Sequence, residues 1–247
     1  MGKITTEELR QYVEENIPDF HQRRLKNLSK LQLKKVLRRK NPYLFKAKNV
    51  TTAGDLVKGI LEAHLSSQEE TIFGDFLEGL AVFICNKIYG GWKSGITGVD
   101  LELEKDGVRY IINIKSGPNW GNSRQISKMR QDFNEAKKTL RTSGSNLRIE
   151  AINGCCYGRS AKEDRGDYFK LCGEVFWTFI SGKDNLYTEM IEPIGHQAKQ
   201  RNDEFYEEYV KVANIFTKQF IDEFCFSDGG IDWAKLTRFA SSRDKKY

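Results

Sequence analysis

The clearest alternation of apolar and polar positions lies over residues 98–117. Val99, Leu101 and Leu103 alternate with Asp100, Glu102 and Glu104, the period-two pattern of a strand with one apolar and one charged face. Lys105-Asp106-Gly107 comes next, and Asp-Gly is a strong signal for a tight hairpin turn. A return strand over 108–115 places Arg109, Ile111, Asn113 and Lys115 on one side and Val108, Tyr110, Ile112 and Ile114 on the other. Asp100 and Lys115 then stand at neighbouring strand ends.

Around this hairpin the pattern is mostly helical. Thr5, Thr6, Glu7 and Glu8 form a helix start, with Leu9, Tyr12 and Val13 as a short apolar stripe that Pro18 is expected to interrupt. Leucines recurring from Leu25 to Leu37 predict a second helix that ends by Asn41-Pro42. A third helix is expected from Thr51/Thr52 to His64. A fourth is expected from a cap at Ser66/Ser67 to about Tyr89, with Gly90-Gly91 ending it. The fourth is largely apolar and therefore largely buried. Ser123 begins a helix with Ile126, Met129, Phe133, Ala136 and Leu140 inward, and 147–152 reads as a further strand. The aromatic-rich stretch 167–181 predicts a helix or turn and then a strand. A long helix over about 200–224 carries Phe205, Tyr209, Val212, Phe216 and Phe220 on one stripe. A short amphipathic piece (Ile231, Trp233, Leu236, Phe239) and a charged tail from Ser241, expected to fray, close the chain.

Composition narrows the class. With 247 residues, 39% of them hydrophobic, the chain can bury one full α/β core plus a smaller appendage. We divide it at a helical, basic N-terminal region (1–65), suited to DNA contact or dimerisation, and a larger domain (66–247) that holds the hairpin. The formal charge is only +6, so its distribution matters more than its sum. Residues 21–50 hold eleven Lys or Arg and no acid; a solvated helix face is the plain reading, and phosphate contact is preferred because nothing nearby offsets the charge. Five cysteines without a C-x-x-C pair and three histidines indicate neither a disulfide framework nor structural zinc, and a cytoplasmic location is expected. No run reaches the roughly 18 apolar residues of a membrane span, so no membrane partner is expected.

The candidate chemistry lies at the hairpin's end. A carboxylate there can hold a hard divalent cation, and a lysine beside it can orient a water or offset charge developing on a phosphate. The plain alternative is a solvated hairpin with a cross-strand ion pair. The segment after Lys115 favours chemistry: Ser116-Gly-Pro-Asn-Trp-Gly-Asn-Ser123 is a polar, glycine-rich loop carrying one tryptophan, which an ordinary exposed hairpin does not need. Glu78 also stands inside the densest apolar section of its helix, where a carboxylate requires a partner.

Asp100 with Asn113-Ile114-Lys115 resembles the PD-(D/E)XK nuclease signature, and 114–123 resembles the corresponding segment of type II restriction endonucleases of the EcoO type. Phe73-Gly-Asp-Phe-Leu-Glu-Gly-Leu-Ala81 and Gly154-Cys-Cys-Tyr-Gly158 share the likeness, which spans about 69–158. It implies an α/β restriction-endonuclease-like core, a central mixed sheet flanked by helices, with a helical N-terminal region. It further implies Mg2+-dependent, sequence-specific hydrolysis of double-stranded DNA by a homodimer on a palindromic site. Asp100 and Glu78 would be the metal ligands, Lys115 the water-positioning residue, and Asn113 a weak ligand or water holder. Asn119, Trp120, Asn122, Ser123, Arg124 and Arg159 are the candidates for DNA contact.

Asn113 departs from the pattern, which carries Asp or Glu there; an amide oxygen can coordinate but brings no charge. The acid is then supplied from elsewhere (Glu70, Asp132 or Glu135), or it has been lost from a disabled copy, or the position is an engineered substitution. The alternatives in function are a catalytically inactive DNA-binding protein on the same scaffold and a repair or structure-specific nuclease.

Overall fold

The computed structural model describes residues 2–142 and 147–242; the last five residues of the charged tail lie outside the described residues. Chain contacts divide the protein into two compact units, Met1–Pro18 with Phe73–His196 and Asp19–Ile72 with Gln197–Tyr247. Both units are discontinuous in sequence.

The first unit is built on a five-stranded sheet. Its strands are β1 (Trp92–Lys93), β2 (Leu101–Lys105), β3 (Val108–Lys115), β4 (Arg148–Cys155) and β5 (Phe169–Cys172), in that spatial order. The first three pair antiparallel and the last three parallel. The β2–β3 hairpin forms in the expected register, with Lys105 opposite Val108. Asp106 and Gly107 both take positive φ, 52° and 74°, as a twist-matched two-residue turn requires. Between β3 and β4 the chain crosses over through α5 (Ser123–Thr142), since parallel neighbours need a long connection. Helix α5 starts where the sequence places it, because Asn122 and Gln125 cap one another: each backbone N–H donates to the other's side-chain oxygen. Its apolar stripe, Met129, Phe133, Ala136 and Leu140, packs on Ile111, Ile149 and Ala151 of the sheet.

The opposite face of the sheet carries α6 (Glu174–Ser181), whose Phe179 meets Tyr110 edge-on at 5.0 Å. The order over 167–181 is therefore strand then helix, the reverse of the expectation, because both patterns are rich in aromatics and periodicity over so few residues does not separate them. With both faces covered, Glu102 is not on a solvated face. It is 3% exposed and accepts from Arg109 and Ser94.

Three helical stretches also differ from the sequence reading. Helix α1 (Thr6–Ser29) runs through Pro18: Leu9, Val13 and Ile17, at one-turn spacing before the proline, are buried, as is Leu28 beyond it, and this burial offsets the lost hydrogen bond. The basic stretch after it is not one helix but breaks into α2 (Leu33–Leu37) and α3 (Pro42–Ala47), the latter capped by Asn41. Helix α4 (Ala53–Tyr89) is continuous over 37 residues rather than two helices meeting at Ser66/Ser67. The Ser67 and Thr71 hydroxyls donate back to carbonyls four residues earlier, which keeps them within a helix instead of capping a new one.

In the second unit, α9 (Ala198–Phe224) lays its expected stripe of Phe205, Val212, Phe216 and Phe220 on Leu28, Val36, Leu56 and Leu61. The short α10 (Trp233–Ser241) closes it. Acids distant in sequence answer part of the basic run: Arg24 donates to Glu69 at 2.7 Å and lies 3.9 Å over the Phe205 ring, and Lys34 pairs with Glu223 at 3.0 Å.

Candidate active site

The site begins where β2 is entered. Asp100 donates its backbone N–H to the Ile112 carbonyl at 2.8 Å, so the ladder continues one residue beyond the strand and fixes its side chain beside β3. Its Oδ2 accepts from the Ile114 backbone N–H at 2.6 Å and from the Asn113 amide at 3.1 Å. Asp100 is thereby tied to the residue immediately before Lys115. Both bonds fall on Oδ2, leaving Oδ1 for a further partner.

Asn113 is 6% exposed, and its Nδ2 donates to Asp100 and to the Gly98 carbonyl at 3.1 Å. Two acceptors settle the amide's orientation. Its Oδ1 is consequently buried without a partner, a state that costs free energy unless a ligand or water answers it.

Gly98 sits at φ 78°, and a Cβ there would come within 2.6 Å of the Asp132 side chain. Asp132 on α5 is itself 9% exposed and accepts from Lys128 at 2.6 Å. Of the three spare acids, Asp132 abuts the cluster through Gly98. Glu135 is exposed on α5, and Glu70 belongs to the second unit.

Lys115, half-buried at the end of β3, has its ammonium 5.4 Å from the centre of the Trp120 ring. The Trp120 indole N–H donates to Asn153 Oδ1 at 3.1 Å. The loop is further held by Lys170, which donates to the Pro118 carbonyl at 2.7 Å, and by the Tyr157 N–H on the Ser116 carbonyl. Trp120 thus faces into the site, while Asn119, Ser123 and Arg124 are exposed. Asn122, also exposed, spends its side-chain oxygen capping α5. Arg159 lines a separate cleft of about 680 Å3 with Tyr157, Trp177 and Tyr187.

Glu78, on α4, borders a recess of about 490 Å3 with Asp75, Gly79, Val82 and Lys93. Burial and then the Asp100 carboxylate push its carboxyl above the usual range, against the Lys93 ammonium 3.5 Å away. Two residues here were not legible in the sequence. Asn153 is 1% exposed and opposite Asn113 in the β3–β4 register; an amide within the run 151–155, whose other residues are apolar or glycine, was a weak signal. Lys93 gave none, since its strand is two residues long.

Among the described residues no three Asp, Glu, His or Cys side chains are grouped closely enough to hold a metal by themselves. The oxygens present still suit a hard divalent cation. Magnesium keeps several waters and takes one or two carboxylates plus substrate phosphates; Asp100 Oδ1, Glu78 and the orphaned Asn113 Oδ1 are the oxygens that could serve it. One consequence is testable by melting. Asn113→Asp puts a carboxylate about 3 Å from Asp100 and the Gly98 carbonyl, so stability in EDTA should drop by about 1–3 kcal/mol. Mn2+ should restore most of it, whereas a loss indifferent to Mn2+ would refute a cation site.

A five-stranded mixed sheet flanked by helices is consistent with a restriction-endonuclease-like fold. The family model for type II restriction endonuclease EcoO109I matches residues 7–202, and the chain belongs to that family. Comparison with the curated proteins finds no match. Among the described residues no helix is long and apolar enough to cross a membrane.

Proposed function

We propose that this chain is a Mg2+-dependent type II endonuclease that hydrolyses phosphodiester bonds at a specific, palindromic sequence in double-stranded DNA. It acts in the cytoplasm as a homodimer, whose two-fold symmetry would match that of the site. The observation that carries this reading is the tie between Asp100 and the backbone just before Lys115. It ties the Asp100 carboxylate to the strand that ends at Lys115, which supports a shared role for the two.

Asp100 and Glu78 hold the cation, with Asn113 Oδ1 as a neutral third oxygen. When bound, Mg2+ supplies positive charge to the phosphate oxygens as negative charge builds on them. Lys115 orients the attacking water in line with the leaving oxygen and offsets charge that develops in the transition state. Water oxygen bonds to phosphorus as the phosphorus–oxygen bond to the leaving strand breaks; the attacking water gives up a proton to solvent, and the leaving oxygen takes one from solvent to become a hydroxyl. Asp132 is the acid placed to supply the charge that Asn113 lacks. Asn119, Trp120, Asn122, Ser123, Arg124 and Arg159 contact DNA, and the basic N-terminal region adds phosphate contacts.

One observation favours the rival reading, a DNA-binding protein without catalysis: the Asn113 amide occupies Asp100 Oδ2 where a second carboxylate would stand. Digesting genome-sized DNA with Mg2+ and sequencing the fragment ends separates the two. A single shared end sequence is expected. Salt-sensitive binding with intact DNA would support the rival, and scattered ends would indicate a structure-specific nuclease.

A further inference from the structure

Lys93 belongs to β1, at the edge of the sheet, opposite Leu101 in register. Its side chain is 73% exposed, yet the ammonium turns inward to lie 3.5 Å from Glu78 Oε1. Glu78 is the better buried partner, with 27% of its side chain exposed. Lys93, Glu78 and Asp75 line the same recess, and the charge of Asp100 reaches Glu78 from the hairpin. Asp100 and Asp75 both act on the Glu78 carboxylate, and a largely solvated ammonium is its ion-pair partner.

We propose that Lys93 is an exchangeable counter-ion: it neutralises Glu78 in the metal-free protein and yields its place when a divalent cation arrives. This rests on the reading of Asp100 and Glu78 as the metal-holding acids. A cation bound through carboxylate oxygens at about 2.1 Å concentrates two charges where Lys93 supplies one, and like charges do not share so small a recess. The long, loosely held pair makes the exchange easy: an exposed lysine keeps little of the Coulomb energy in water, and its four-carbon stem lets it swing away. Because the lysine competes for the oxygens the metal needs, metal affinity contains the cost of displacing it. Removing the lysine removes that cost. The displaced ammonium then stands at the rim of the recess, where it can meet a phosphate.

The test is Mn2+ binding to DNA-free protein, measured by titration calorimetry, in a four-member cycle of wild type, Lys93→Met, Glu78→Gln and the double variant. Lys93→Met is expected to bind Mn2+ about three- to tenfold more tightly than wild type. In the Glu78→Gln background the same change should alter affinity less than about twofold. An affinity unchanged or weakened by Lys93→Met overturns the exchange, as does an equal gain in both backgrounds, which would mark a general field effect. If wild type binds Mn2+ and only the response to Lys93→Met is flat, the exchange alone fails. If none of the four takes up Mn2+, the metal-site reading fails with it.

Discussion

Lys115→Met and Asp100→Asn should each slow single-turnover cleavage of plasmid DNA by about a thousand-fold or more, on the order of 4 kcal/mol in the barrier. The two substitutions act on different charges at one strand end. Methionine keeps most of the apolar stem of Lys115, so the sheet should be undisturbed while the ammonium and its approach to the Trp120 ring are lost. Asparagine at 100 can still accept from the Ile114 N–H through its carbonyl oxygen, and what it removes is the negative charge needed to hold a cation. The two should differ in one respect: excess Mg2+ should recover part of the Asp100→Asn loss and none of the Lys115→Met loss. Cleavage within tenfold of wild type for either variant would remove that residue from the catalytic set.

Arg109→Met should be among the most destabilising single changes in the sheet, although Arg109 is not part of the catalytic proposal. Glu102 is 3% exposed and accepts two bonds from the Arg109 guanidinium, at 2.8 and 3.1 Å, and one from Ser94 at 2.7 Å. Without the arginine a buried carboxylate keeps only a hydroxyl donor, and breaking such a pair costs about 3–5 kcal/mol. The companion change Glu102→Met, made together with Arg109→Met, should recover most of that loss, because an apolar pair of similar volume avoids the desolvation of both charges. Urea unfolding of the four proteins of this cycle measures the coupling. A loss below about 1 kcal/mol for Arg109→Met would show that solvent reaches Glu102.

The hairpin was legible because its rules are local: alternation sets the strands, and Asp106-Gly107 sets the turn. The start of α5 at Ser123 and the stripe of α9 are local in the same sense. Alternation did not reveal that the polar side of β2 is covered, since Glu102 is made tolerable by Arg109 on the neighbouring strand. The continuity of α4 was hidden for a similar reason, because Ser67 reads equally well as a cap or as a helix-interior hydroxyl bonded back to Ala63. The packing of α9 with residues 19–72 depends on contacts between segments far apart in sequence. At the site, Asp100, Asn113, Lys115 and Glu78 could be named from pattern and resemblance. Asn153 and Lys93 could not, because each matters through a partner that only folding brings near.

The indole of Trp120 is held on one side by Asn153 and lies over Lys115 on the other. A ligand that drew this ring outward would have to break its hydrogen bond to Asn153 on β4, and would carry it away from the Lys115 ammonium.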